Sequence, residues 1–258
     1  LFTIEDAEGN FVRQLNAAPK EGINRVNWDL KYPSLNPVTS VPEDPFKNNK
    51  SSFHALPGEY RVTMYKSVDG DITELYGPVA FNVEQLNNST LPAEDKEAAK
   101  LFRQKLNELN RTVSGTVKAA NDALANLKKI KEAVKASGKN PFDLISRANK
   151  IEDGINDAMV TLVGNESIRK RNAADPPSIE DRIGTISWEL INTTSAPTET
   201  HRKSYRAAAG NFSEVYKDLR FLIEVELKEL KKLLEEAGVP WTPGRFPKWS
   251  GNADGLSK

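Results

Sequence analysis

The chain contains no cysteine and only two histidines, His54 and His201. Without thiols there is no disulfide and no thiolate metal site. Two imidazoles with no His-x-x-x-His or Glu-x-x-His pair leave almost nothing from which to build a transition-metal centre, so no metal is expected. Neither sign of charge prevails: 36 Lys and Arg balance 36 Asp and Glu. That balance removes the basic footprint of a protein that grips phosphate backbones, and no nucleic-acid partner is expected. No apolar run approaches ~18 residues, so no transmembrane segment is expected. Gly-x-Ser-x-Gly, Walker and dinucleotide-binding motifs are also missing, so no cofactor and no catalytic residue set is read from motif.

What is present is enough apolar material for a core. The 258 residues are 38% hydrophobic and 28% charged, suited to one large domain or two modest ones. The first 86 residues read as β structure. Leu1–Ile4 and Phe11–Leu15 flank a turn at Asp6–Asn10, the signal of a hairpin. Ile23–Leu30 alternates with period two and predicts a further strand, with Trp28 in the core. Tyr60–Tyr65 and Val79–Val83 are two more strands, with a turn at Val68–Asp71 between them. Six or so short strands with a turn every ten residues favour a small β-sandwich over residues 1–86. The stretch from Lys31 to Leu56, rich in Pro, Asn and Ser, is read as a long surface insertion or a binding loop.

From residue 90 the character is helical. A helix from Pro92 to about Ser137 places Phe102, Leu106, Leu109, Val113, Val117, Ala120, Leu124, Leu127 and Val134 on one stripe, before Gly138. Asn140-Pro141 opens a second helix, through Ile145, Ala148, Ile151, Ile155, Met159 and Leu162 to Gly164. Ser178 with Asp181 resembles a capping box for a third helix, to about Asn192, with Trp188 in its core. Thr198 caps a fourth, carrying Tyr205, Ala208, Phe212, Val215, Leu219, Leu222, Leu227, Leu230 and Leu234 to Gly238. The first and fourth helices are each roughly 60 Å long at 1.5 Å per residue. The expected fold class is therefore α+β and multidomain: a β-sandwich, then an antiparallel helical bundle at 90–238 with two long and two shorter helices. A broken three-helix arrangement is equally compatible with these lengths. Residues 239–258 form a Pro- and Gly-punctuated arm carrying Trp241, Phe246 and Trp249.

Asp6-Ala7-Glu8-Gly9-Asn10, Gly22-Ile23-Asn24-Arg25-Val26-Asn27-Trp28-Asp29 and Pro57-Gly58-Glu59-Tyr60-Arg61-Val62 together resemble an Ig-like module. Such modules stand beside flagellar hook-capping domains and at the ends of many exported bacterial proteins. Three later segments are more distinctive: Pro176-Pro177-Ser178-Ile179-Glu180-Asp181-Arg182-Ile183-Gly184-Thr185-Ile186, Thr194-Ser195-Ala196-Pro197-Thr198 and Gly238-Val239-Pro240-Trp241-Thr242-Pro243-Gly244-Arg245. They resemble the C-terminal region of exported bacterial proteins with sortilin-like or sialidase-type β-propeller repeats, often labelled glycosyl hydrolases. The resemblance implies an extracytoplasmic piece of a longer protein, with the propeller upstream of Leu1 and no catalytic residue in this tail. Its partners would be that propeller and another cell-envelope protein.

Trp241, Phe246 and Trp249 are the candidate binding residues. Exposed, they would stack on sugar rings or a peptide; folded back, they would plug the end of the bundle. The carboxylate pairs Glu152-Asp153 and Glu235-Glu236 lie in lysine-rich helices, where a solvated, ion-paired face is the default reading. The functional expectation is a non-catalytic module for protein–protein contact or for bracing the propeller. Its rivals are an accessory part of a glycosidase, with Glu43 and Asp44 in the long loop contributing, and a carbohydrate-binding module built on Trp241 and Trp249.

Overall fold

The computed structural model describes residues 1–32, 53–86, 93–138, 142–191 and 193–246. Their contacts divide the chain into two compact units, one of Leu1–Ser114 with Asp181–Ala207, the other of Gly115–Glu180 with the chain from Ala208 onward. The chain is mixed, a small antiparallel sheet followed by helices, as expected.

In the first unit, β1 (Phe2–Asp6), β2 (Phe11–Leu15), β3 (Gly58–Val68) and β4 (Asp71–Val83) form one antiparallel sheet in the order β2-β1-β3-β4. The expected β1–β2 hairpin is present, and a buried carboxylate closes it. Asp6 accepts from the Asn10 backbone N–H at 2.8 Å and from Asn10 Nδ2 at 3.0 Å. The β3–β4 turn is as read, with Asp69 and Gly70 both at positive φ, the geometry of a two-residue hairpin loop that matches strand twist. Ile4, Val12, Ala55 and Tyr60 are buried, and Leu15, Trp28, Tyr32, Val62, Phe81 and Val83 pack around them. Trp28 lies edge-on to Tyr60 and Phe81 at 5.3 and 6.1 Å between ring centres, so it belongs to this cluster as expected.

Two sequence readings are corrected here. Four strands form rather than six, in a single sheet among the described residues, and Ile23–Leu30 is not one of them. Asn24 turns its amide back to the Lys20 and Gly22 carbonyls at 2.7 and 3.1 Å, a local closure that competes with a ladder. Ile23 is left fully exposed, although Val26 and Trp28 are half-buried. The alternation is real, but among the described residues no strand stands beside it.

Among the described residues, six α-helices follow. Asp95 caps α1 (Lys96–Ala136) by accepting from the Ala98 N–H at 2.8 Å. The expected stripe on α1 is buried at most positions, with Val117 and Leu124 half-buried and Ile130 fully buried. α2 (Phe142–Val163) buries Ala148, Ile151, Ile155, Ala158 and Leu162; its expected cap, Asn140-Pro141, lies outside the described residues. The short α3 (Glu166–Lys170) is absent from the sequence reading. Asn165 caps it, accepting from the Ser167 and Ile168 N–H groups at 3.0 and 3.3 Å. Ser178 stands immediately before α4 (Ile179–Leu190), which buries Ile179, Ile183, Ile186 and Leu190. Trp188 is a second correction of burial: at 81% exposure it is not core. Two residues from both Ile186 and Leu190, it is rotated about 200° from each and faces away.

α5 (Glu199–Phe221) opens as expected at Thr198, with histidine where a capping box usually has glutamate. Thr198 Oγ1 accepts from the His201 N–H at 3.2 Å, and His201 Nδ1 accepts from the Thr198 N–H at 3.1 Å. Nδ1 is therefore unprotonated and Nε2 bears the hydrogen, which points to Glu189 Oε2 at 2.5 Å. The expected fourth helix continues to Glu236 as a π-helical turn (Leu222–Glu226) and α6 (Leu227–Glu236). Buried positions explain the turn. Phe212 to Leu219 and Leu227 to Leu234 are seven residues apart, nearly two full turns, but Leu219 to Leu227 is eight. Eight residues overshoot an α-helical stripe by about 80°, and a single i→i+5 turn absorbs the surplus. The bond from the Leu227 N–H to the Leu222 carbonyl is that turn. Gly154 of α2 faces it; a Cβ there would lie 3.0 Å from Leu222 Cδ1. Lys131 with Glu152 at 2.5 Å and Arg147 with Glu226 at 3.1 Å flank this packing in the second unit.

Candidate functional site

Among the described residues, two features of the first unit present chemistry outward: the free margin of the sheet and a cleft between the sheet and α1. The margin is β4, an outermost strand of 13 residues. The last β1–β3 pair is Phe2 with Met64, and Tyr65 still exchanges bonds with Leu1. Beyond that, β3 and β4 continue alone from Lys66–Thr73 to Val68–Asp71 as a two-stranded ribbon. Val68 and Ile72 are exposed on this ribbon, and Leu75, Tyr76 and Val79 are exposed farther along β4, Tyr76 by 69%. Edges are ordinarily protected by charges, prolines and bulges; β4 has no lysine, but it carries Asp71, Glu74 and Pro78. A bulge sits midway, where pairing slips between Val62 and Met64 opposite Gly77. Gly77 has φ +129, and a Cβ there would lie 2.9 Å from both Thr63 Cα and the Val62 carbonyl oxygen. Only glycine permits this kink, which re-aims the ribbon relative to the rest of the sheet.

The cleft, of about 630 Å³, has two unlike walls. Phe11 and Val12 of β2, with Tyr32, Phe53 and Leu56, make an apolar side. Tyr32 and Phe53 are joined by a backbone bond of 3.1 Å, which draws together the two ends of the long Pro- and Asn-rich stretch. The opposite side is one face of α1: Lys100, Arg103, Gln104, Asn107, Glu108 and Arg111. Arg103 is 6% exposed and gives both hydrogens of Nη2 to backbone carbonyls, Thr193 at 3.0 Å and Ser195 at 2.9 Å. Burial pushes its guanidinium below the ordinary arginine range. The imidazole of His54, at the same cleft, is lowered by burial and then by Lys31, with Arg103 contributing. None of these α1 residues was singled out from sequence. The available signal was a set of cations on one helix face with no acid four residues to either side.

The sequence-predicted residues fall elsewhere. Trp241 and Phe246 are exposed, so the expected plugging by the arm's aromatics does not occur at these two positions. Trp249, Glu43 and Asp44 lie outside the described residues. The arm is held instead by Arg245, Thr242 and Val239. Arg245 is buried against Glu235 at 3.2 Å and donates to the Val239 carbonyl at 3.1 Å and to that of Pro240. Asn126 holds the Pro243 carbonyl at 3.0 Å, and Trp241 Nε1 donates to the Arg245 carbonyl. Arg245→Ala is expected to cost about 2 kcal/mol, the loss of charge-assisted bonds around a buried acceptor set, read from the urea midpoint. Glu152 and Glu235 are half-buried and engaged by Lys131 and Arg245 of other segments, not by the i,i+4 pairs of a solvated face. Among the described residues, no three His, Asp or Glu side chains converge as a metal site, and no helix is long and apolar enough to cross a membrane.

No protein family, curated protein or solved structure matches the chain.

Proposed function

We propose that the chain is a non-catalytic interaction module, and that the β3–β4 ribbon with the free edge of β4 is its docking surface. The single observation behind this reading is a 13-residue outermost strand with Ile72, Leu75, Tyr76 and Val79 exposed on it and no further strand on its outer side among the described residues. Such an edge offers main-chain bonds for strand addition and apolar side chains for specificity. In the finer reading, the sheet belongs to an Ig-like module, the helices to an antiparallel bundle, and both to an exported, extracytoplasmic protein. The occupant of the edge is the upstream propeller or a cell-envelope partner.

Lys66 is exposed on the ribbon and serves as a reporter. Cross-linking mass spectrometry on the native, full-length protein is expected to join Lys66 to another domain or protein. Ile72→Lys with Leu75→Lys is expected to abolish those links while leaving those of Lys128, Lys217 and Lys231 intact. Links confined to the three helix lysines would move the interface to the helices and overturn the edge assignment. The exposure of Trp241 and Phe246 favours a second reading, carbohydrate binding. Glycan binding that survives Trp241→Ala with Phe246→Ala would dismiss it.

A further inference from the structure

The cleft beside α1 has no role in an edge-docking module, and its electrostatics are unbalanced. Asp6 is satisfied by Asn10, and Glu108 is exposed. Against them stand Lys100, Arg103 and Arg111, and none of the three has a carboxylate partner among the described residues. Arg103 is the decisive one. Of its five donors, two reach carbonyls, and the N–H of Nε and both hydrogens of Nη1 reach nothing in the described protein. The residue is only 6% exposed, and its three unspent donors belong to the wall of the cleft, where an anion that enters can reach them. The facing wall of Phe11, Val12, Tyr32, Phe53 and Leu56 offers an apolar surface a few side chains wide. A volume of about 630 Å³ falls within the range of small-molecule sites.

We propose that this cleft binds a small organic acid, its carboxylate on Arg103 with Lys100 and Arg111 beside it, and its apolar body against the β2 wall. A charge-assisted bond to a carboxylate is among the stronger polar contacts available to a protein. The apolar wall selects an aliphatic or aromatic body over a bare inorganic anion. Lys100 and Arg111 add long-range attraction that salt will weaken, because neither is fully buried. The site is independent of the sheet edge, so either assignment can fail alone.

The test is titration of octanoate into the full chain by calorimetry and thermal unfolding, with octanamide as the uncharged counterpart. Octanoate is expected to bind saturably at one site and to raise the melting temperature; octanamide is expected to bind at least tenfold more weakly. Lys100→Gln with Arg111→Gln should weaken octanoate at least tenfold without changing the unliganded melting temperature. Arg103→Met should abolish binding, with circular dichroism confirming the fold because Arg103 also holds the Thr193 and Ser195 carbonyls. Where that variant does not fold, the double variant decides. Equal binding of octanoate and octanamide, undiminished binding by the double variant, or no binding by the native chain would each overturn the proposal. A peptide with a free C-terminal leucine that binds more tightly than octanoate would overturn the free acid in favour of a chain end.

Discussion

Gly77→Ala is expected to destabilise the protein by roughly 3 kcal/mol, a large change for one methyl group. Two effects combine. The residue sits at φ +129, where a side chain is strained, and the added Cβ meets backbone at 2.9 Å on two atoms, Thr63 Cα and the Val62 oxygen. Neither contact is the end of a flexible side chain, so relief requires moving β3 against β4 at the bulge. Urea unfolding followed by circular dichroism measures the loss. Gly210→Ala supplies the contrast. Gly210 lies within α5, and nothing stands within 4 Å of its would-be Cβ. There the same methyl group is expected to stabilise by about 0.5–1 kcal/mol, because alanine loses less backbone entropy in a helix. A Gly77→Ala cost no greater than a few tenths would show that the bulge is soft. Under the edge-docking proposal, this variant should also lose the Lys66 cross-links, since the ribbon beyond the bulge is aimed by it.

The second large effect is expected at Leu230→Ala, about 3–4 kcal/mol. Leu230 is completely buried in α6, between Leu227 and Leu234 on the same face. Truncation removes three carbons from contact and leaves a void whose neighbours are fixed by their own packing, so collapse recovers little. Val225→Ala, at a half-exposed position of the π turn, is expected to change stability by less than about 0.5 kcal/mol. Chemical unfolding of both variants checks the pair; similar losses would mean that the α6 face is not the core the burial pattern describes.

The helices were legible because their apolar residues repeat every three or four positions, a spacing that few other structures reward. Even the π turn had a trace in sequence. The intervals along the fourth helix run three and four until Leu222 to Leu227, where the interval is five. The short α3 had no such period, and only the capping side chain of Asn165 marks it. Strand reading went astray at Ile23–Leu30 because alternation reports which side chains share a face, and not whether a neighbouring strand is there to pair. Trp188 misled for a related reason: a large aromatic invites a core assignment, yet the phase set by Ile183, Ile186 and Leu190 places it outward. The cleft was illegible altogether. Its walls come from β2, from both ends of the long Pro-rich stretch and from α1, segments that only the fold brings together. Arg103 looked like one more charge on a charged helix; its burial depends on the carbonyls of Thr193 and Ser195, some 90 positions away.

The extra residue between Leu219 and Leu227 bears on how other sequences should be compared with this one. A homologue lacking one residue in 222–226 would form an unbroken α-helix and still present the same leucines to the same neighbours. Its alignment to this chain would carry a one-position gap in the middle of a helix, a place where gaps are ordinarily penalised most. Comparisons that permit a gap there would keep Leu227, Leu230 and Leu234 matched to their counterparts, while those that forbid it would slide the whole C-terminal segment, arm included, out of correspondence.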